Sequence, residues 1–478
     1  MATSKDQKNI IKTRDDKNPV YFISTAESKY KLDQGQECSW IKSEDEFHSS
    51  KLRERIEPWL TSLVQSDHLS LLVGSGLSYA VKDIASPGKI DQSTASQVKK
   101  VKSHMEGLSF SSYGEEIRTM VEKSAKLAGR ESPNFEDEIR VANELCRGLE
   151  IFTSTNHIGH KKAIIADKRV KNLRTEINSK LTQFAHNILN DEKIIATANE
   201  DSRQETFNIL TNFLMSFASR TGTRERLNIF TTNYDRIIEV GAELAGLHLL
   251  DRFLGNIHPI FRSSRLGLDL HYNPPGIRGE PRYLEGVTRF TKLHGSIDWV
   301  QTGKDIRRIG LPFGAETIDP YLNAPGLLKT STQEIMIYPN SSKDRETAQY
   351  PYVDLFRDFA AACCRPNCTL FTYGYSFGDE HINRVIEDML TIPSTHLVVM
   401  ALEDPMNRIM NTYNKLGRSS QITLLIGNAL GDFQTLVNNY LPKAAIDRTT
   451  IRMNELLKKR LGPEGDDNKN QSDKDVQS

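Results

Sequence analysis

Five stretches of the chain share one design, a short apolar run that stops at glycine, asparagine, aspartate or serine. They are "LSLLVGSGLS", "LNIFTTNYD", "CTLFTYGYSFGDEHI", "THLVVMALEDP" and "SQITLLIGNALGDF". "RFTKLHGSIDWV" and "EIMIYPN" carry the same strand signal. Apolar residues at consecutive rather than alternating positions need burial on both faces, which is the condition of parallel strands covered by helices. The pattern predicts an α/β fold with a Rossmann-like, mostly parallel sheet. In such a sheet the ligand crevice lies beyond the carboxyl ends of the strands, where these polar residues collect.

The strand signals are interrupted between about Ala95 and Arg226 by long helical patterns, "EEIRTMVEKSAKLAG", "SPNFEDEIRVANELCRGLEIF", "NLRTEINSKLTQFAHNIL" and "RQETFNILTNFLMSFASR". In the second, Ser132 is placed to cap a helix with Pro133 in its first turn. A large all-helical insertion, about 95–226, is expected within a domain spanning 61–445. Residues 1–60 read as a polar tail followed by the helix "FHSSKLRERIEPWLTSLVQSDH", and 446–478 as a polar C-terminal tail. The first 20 or so residues and the last segment are poor in large apolar groups, so neither is expected to offset its ordering entropy.

Length and charge narrow the classes. The 478 residues suffice for one large α/β domain with an insertion. Lys plus Arg and Asp plus Glu both number 62, so there is no general basic footprint and direct nucleic-acid binding is not expected. Cys38, Cys146, Cys363, Cys364 and Cys368 form no disulfide framework. With no signal-like start and no apolar run of the roughly 20 residues that span a bilayer, a cytoplasmic protein without membrane contact is expected.

A glycine-rich turn and four polar clusters mark the crevice. Gly74, Ser75, Gly76 and Ser78 follow a strand as a phosphate-cradling turn does, although Tyr79 stands where the third glycine of GxGxxG would be. Asn233 and Asp235 flank Tyr234 at the end of "LNIFTT"; helix capping accounts for one of them and less well for both. His294, with Gly295 and Ser296, ends another strand. Gly374, Ser376 and Gly378 follow a third, before a helix that Asp379 can cap. Glu403 or Asp404 ends a fourth, where a carboxylate can take the hydroxyls of an adenosine ribose. Taken singly each has an ordinary structural explanation, and only their shared placement points to a site.

Metal readings fail. Cys363, Cys364 and Cys368 lack CxxC pairs, and His157 and His160 have no acidic or third ligand nearby. No Walker motif is present, so ATP hydrolysis by this chain is not expected.

The ordered set "LLVGSGLS", helical insertion, "IFTTNYD", "KLHGSIDW" and "YGYSFGDEHINRVI" resembles the sirtuin-like superfamily of NAD-binding proteins over about Leu71 to Gly431. Within it, the chain most resembles bacterial antiphage members that cleave NAD, in particular the sirtuin-like partner of HerA-type ATPase translocases. The four-cysteine zinc module of sirtuin deacylases is absent, as is the Pro-Asp-Phe-Arg run of their glycine loop, which argues against deacylation. The resemblance implies catalytic roles for Asn233 and His294, a ribose-binding role for Asp235 and a pyrophosphate role for the Gly74 to Ser78 loop. It also implies NAD as substrate, no required metal, a homo-oligomer and a HerA-type partner. An NAD glycohydrolase and a non-catalytic NAD or ADP-ribose sensor regulating a partner ATPase or nuclease both remain open.

Overall fold

The consecutive apolar runs form strands buried on both faces. The computed structural model describes residues 8–13, 15–42, 45–87, 110–127, 135–154, 160–220, 224–264, 269–272, 282–323, 327, 335–337 and 350–443. Its strands are β1 (Asn9–Lys12), β2 (Val20–Ala26), β3 (Lys29–Leu32), β4 (Glu46–His48), β5 (His68–Val73), β6 (Asn228–Thr231), β7 (His248–Leu250), β8 (Phe253–Leu254) and β9 (Ile260–Phe261). They continue with β10 (His271–Tyr272), β11 (Arg282–Tyr283), β12 (Val287–Lys292), β13 (Gly295–Thr302), β14 (Asp305–Arg308), β15 (Ile335–Ile337), β16 (Cys368–Tyr373), β17 (His396–Ala401) and β18 (Ile422–Ile426). The main helices are α1 (Ser49–Val64), α2 (Ser75–Ala85), α3 (Gly114–Leu127), α4 (Phe135–Ser154), α5 (His160–Ala196), α6 (Glu200–Ala218), α7 (Ile237–Leu244), α8 (Tyr352–Cys363), α9 (Glu380–Leu390) and α10 (Arg408–Leu416).

An 11-stranded sheet runs in the order β4-β3-β2-β1-β18-β17-β16-β5-β6-β12-β7. From β18 to β7 every pairing is parallel; from β18 to β4 every pairing is antiparallel. Along β17 the residues alternate between two cores, Leu397, Val399 and Ala401 on one face and Val398 and Met400 on the other. Helices α1, α2, α6 and α7 cover the second face, and α8, α9 and α10 the first. Each fully buried aliphatic or aromatic side chain contributes about 1.5–3 kcal/mol. This is a mixed α/β fold with a large, mostly parallel central sheet, consistent with a Rossmann-like architecture.

Three expectations need correction. Residues 9–12 are no tail: β1 pairs with β18 and is buried throughout. Its polar residues misled because they are used inside, Asn9 Oδ1 accepting from the Ala429 amide at 2.9 Å and Lys12 Nζ donating to the Ile422 carbonyl at 2.9 Å. "RFTKLHGSIDWV" is two strands rather than one, broken at Leu293-His294 and turned by Gly295 at φ 87°. And β15, from "EIMIYPN", pairs antiparallel with β13 in a separate five-stranded sheet, β15-β13-β14-β9-β8. Ser132, Pro133, His157 and the C-terminal tail lie outside the described residues.

Helices α3 to α6 lie between α2 and β6. Helix α5 is 37 residues long. Its Leu173 and Ile177 share a core with Ile117 and Val121 of α3 and Ile139, Ala142 and Cys146 of α4. Further along, Ala185 and Leu189 join Ile297 and Val300 of β13 in a different core.

Candidate active site

Register places the site. Tyr373 of β16 lies opposite Val73 of β5, Val73 opposite Thr231 of β6, and Thr231 opposite Lys292 of β12. Four parallel strands therefore end level with one another, about 4.8 Å apart. Asn233 lies two residues past Thr231 and His294 two residues past Lys292, so both emerge at one height from adjacent strands. The Gly74 turn emerges beside Asn233, and the Gly374 loop beyond it.

The glycines answer a packing requirement. The Gly74 amide donates to the Tyr373 carbonyl at 2.9 Å and the Gly76 amide to the Gly374 carbonyl at 3.1 Å. A Cβ on Gly76 would sit 2.5 Å from the Gly374 Cα, and one on Gly374, whose φ is 60°, would sit 2.6 Å from the Gly76 Cα. Two backbones thus touch where β5 and β16 end. Ser75 is exposed at the head of α2, Ser78 is half-buried, and burial beside Asp191 and Asp235 pushes the Tyr79 phenol up to about 12.

Asn233 is buried at 7% exposure and spans the two strand ends. Its backbone amide donates to Thr231 Oγ1 at 3.0 Å; its Nδ2 donates to the Gly74 carbonyl and to Ser78 Oγ, both at 3.0 Å. The Gly74 carbonyl can only accept, so it fixes which end of the amide is nitrogen. Among the described residues Oδ1 takes no donor, which leaves an oriented acceptor. Ser78 Oγ in turn donates to Asp235 Oδ2 at 2.5 Å, and Asp235 Oδ1 accepts from the Ile237 amide at 3.2 Å. Asp235 therefore buttresses the glycine turn and the start of α7. The amide and carboxylate flanking Tyr234 share Ser78 as a partner, and only Asp235 also accepts from the start of α7, which is why a single helix cap did not account for both.

His294 is paired with a residue that sequence reasoning treated only as a helix cap. Its Nε2 lies 2.9 Å from Asp379 Oδ2, with side-chain exposures of 14% and 5%. The other oxygen, Oδ1, accepts from the His381 amide at 3.0 Å and caps α9. A carboxylate opposite Nε2 holds the proton there and leaves the Nδ1 lone pair available as a base. The single proton of Tyr375 OH lies between two acceptors, Asn383 Oδ1 at 2.9 Å and the Asp379 carbonyl at 3.2 Å, and Asn383 Nδ2 donates to the Phe377 carbonyl at 3.0 Å. The "DEHIN" segment thereby holds the loop that bears Ser376. Ser376 is half-buried and Gly378 exposed, and a Cβ on Gly378 would meet Arg408 Nη1 at 2.8 Å.

Glu403 is half-buried past the end of β17, one strand beyond Gly374. The capping role there belongs to Asp404, whose two oxygens accept from the Ile409 and Met410 amides at 2.8 and 3.0 Å. Asn233, Ser78, Asp235 and the glycines are thus joined directly; His294 stands on the neighbouring strand; Glu403 lies at the far side.

Buried charge supports the loop from behind. Lys292 Nζ, on a side chain 1% exposed, donates to the Asp235 carbonyl and to Glu239 Oε1 at 2.9 Å. The Tyr234 carbonyl accepts from the Ile297 amide at 3.0 Å. Burial pushes the Glu239 carboxyl up against the pull of Lys292. Neither Lys292 nor Arg236 was singled out from sequence.

Among the described residues there is no group of three or more His, Cys, Asp or Glu placed to hold a metal, and no helix long and apolar enough to cross a membrane.

The fold and this site define an α/β protein with a polar crevice at the carboxyl ends of its parallel strands. The family model described as SIR2-like domain matches residues 227–422, which includes Asn233, Asp235, His294, Gly374, Ser376, Asp379 and Glu403 but not the Gly74 turn or the helices before β6. The match supports the sirtuin-like family and, with it, an NAD-related function. No curated protein matches the chain.

Proposed function

We propose that the protein is an NAD glycohydrolase that cleaves NAD to nicotinamide and ADP-ribose. The observation that carries this reading is the pair at the ends of β6 and β12: an amide whose Nδ2 is fully engaged and whose Oδ1 is oriented, beside a histidine held by a buried carboxylate. Departure of nicotinamide leaves an oxocarbenium-like ribose, and capture by water forms a bond from the water oxygen to C1 while a proton leaves. Asn233 Oδ1 is suited to accept a hydrogen bond from that water. His294 Nδ1 is suited to take the proton from the water or from a ribose hydroxyl, and Asp379 balances the resulting imidazolium. No step in this scheme draws on a metal.

The motif set supports placing the enzyme in antiphage defence, as a cytoplasmic effector that depletes NAD. Such an activity needs restraint, so a homo-oligomer and a HerA-type ATPase translocase are the proposed assembly. Incubating purified protein with NAD, alone and with candidate partners, and chromatographing for nicotinamide tests the reaction. Release by wild type and loss in Asn233→Ala and His294→Ala supports the reading; equal turnover in both variants removes the site assignment.

The engagement of Asp235 by Ser78 and the Ile237 amide fits a second reading, a module that binds NAD or ADP-ribose without cleaving it. Tight NAD binding with no turnover under every partner condition selects the sensor.

A further inference from the structure

The last turns of α5 lie against both loops that build the site. Glu192, whose side chain is fully buried, accepts at Oε1 from the Arg236 amide at 2.8 Å and from Arg236 Nε at 3.2 Å, and at Oε2 from Nη2. Arg236 follows Asp235 directly and donates onward to the Leu311 and Pro312 carbonyls. About two turns earlier in α5, Phe184 packs edge-on against Tyr234 at 5.8 Å between ring centroids, and Tyr234 faces the His294 ring at 6.3 Å. Asp191 pairs with Lys82 of α2, the helix that begins at the glycine turn. Phe184 also packs against the core shared by α3 and α4. One continuous helix, about 55 Å long at 1.5 Å per residue, therefore runs from the helical insertion to the residue next to Asp235.

We propose that Glu192 is a positioning residue for the reaction, and that α5 sets the Asn233–Asp235 loop through the Glu192–Arg236 clamp and the Phe184–Tyr234 contact. Three atoms of Arg236, one of them backbone, converge on a single carboxylate, which fixes the loop's path as well as the side chain. Lys292 holds the carbonyl side of the same loop, so the chain from Tyr234 to Arg236 is gripped from opposite directions. A change in the insertion that moves the end of α5 reaches Asn233 and Tyr234 without touching substrate. The kinetic part of this inference rests on the NAD-cleavage reading; the structural part does not.

The test uses full-length Glu192→Gln and Phe184→Leu, with Glu192→Ala as the stronger lesion. Glu192→Gln keeps an acceptor for the Arg236 amide, and Phe184→Leu keeps the packing volume, so folded protein is available even if the alanine variant fails to fold. Melting temperature, kcat and KM for NAD, and hydrogen exchange of the peptide covering 232–238 are measured together. The expected result is faster exchange confined to 232–238 and kcat lowered about tenfold or more with KM within about threefold, as small misplacement of reacting groups costs rate. Glu192→Gln should fall between wild type and Glu192→Ala. Unchanged exchange and kcat in both conservative variants overturns the proposal, and so does a lower melting temperature with exchange raised uniformly, which marks a merely structural role. If wild type releases no nicotinamide, the function reading fails while exchange at 232–238 still decides whether α5 positions the loop.

Discussion

Asp379→Asn separates the two duties of one carboxylate. Asparagine caps helices as well as aspartate does, so the bond from the His381 amide to Oδ1 survives and stability should change by less than about 1 kcal/mol. The bond to His294 changes in kind. An amide nitrogen opposite Nε2 needs an acceptor there, which drives the imidazole proton to Nδ1 and removes the lone pair assigned to the base. The lost charge also matters: unit charges about 4 Å apart at an effective dielectric of about 20 interact by about 4 kcal/mol, or about three powers of ten in rate. With both side chains largely buried, at 14% and 5% exposure, screening by solvent removes only part of this. The expected outcome is kcat for nicotinamide release lowered about 10²–10⁴-fold, in the range of lost general-base catalysis, with KM and melting temperature near wild type. Retention of kcat within about threefold by Asp379→Asn, in a protein whose Asn233→Ala variant is inactive, would refute the assignment of His294 as a base oriented by Asp379.

Other expectations follow from the same geometry. Asn233→Ala removes both Nδ2 bonds to the β5 end together with the water acceptor, and nicotinamide release should fall at least about 10²-fold, a loss larger than any fall in NAD affinity measured by calorimetry. Gly374→Ala places a Cβ 2.6 Å from the Gly76 Cα at a φ of 60°; the two loops must part, at a cost of about 1–3 kcal/mol read by denaturant unfolding, with weaker NAD binding. Burial against Lys12 lowers the His396 imidazole to about 4 from an unfolded value of 6.5. Below pH 6.5 the unfolded state therefore binds the extra proton first, and stability should fall by about 3 kcal/mol in all as pH drops from 6.5 through 4. His396→Gln, with an amide for Thr423 Oγ1, should flatten that slope in unfolding titrations.

How much of the fold is legible in the sequence depends on who a residue's partners are. Runs such as "THLVVMAL" declare themselves, because burial on both faces demands apolar residues at every position. The corrections at β1 and at the β12–β13 break have the opposite origin. Asn9 and Lys12 are buried with their polar atoms bonded to Ala429 and Ile422, some 410 residues away along the chain, and nothing within a short window reports a partner at that distance. In "RFTKLHGSIDWV" the apolar pattern runs straight through a corner, and the only local mark of the turn is Gly295, whose backbone takes φ 87°.

The site divides along the same line. Polar residues that end an apolar run can be placed at a strand's carboxyl end from sequence, as Asn233 and His294 were, with their catalytic roles implied only by the family resemblance; the register that sets them at a common height is visible in the structure alone. Groups whose function is to hold those residues were not so placed. Asp379 offered a complete local explanation as the cap of α9, and a carboxylate has two oxygens, so a satisfied cap does not exhaust it. Glu192 sits on a helical face, 44 residues before its partner Arg236, and no short window of sequence reports a partner at that distance. Burial is what converts such charges into constraints: an exposed pair of this kind contributes about 0–1 kcal/mol, whereas removing one partner of a buried, multiply bonded pair costs about 3–5 kcal/mol. The residues least visible in the sequence are therefore those whose removal should disturb the loop most, which is why the Glu192 and Asp379 variants bear on the function as directly as those of Asn233 and His294.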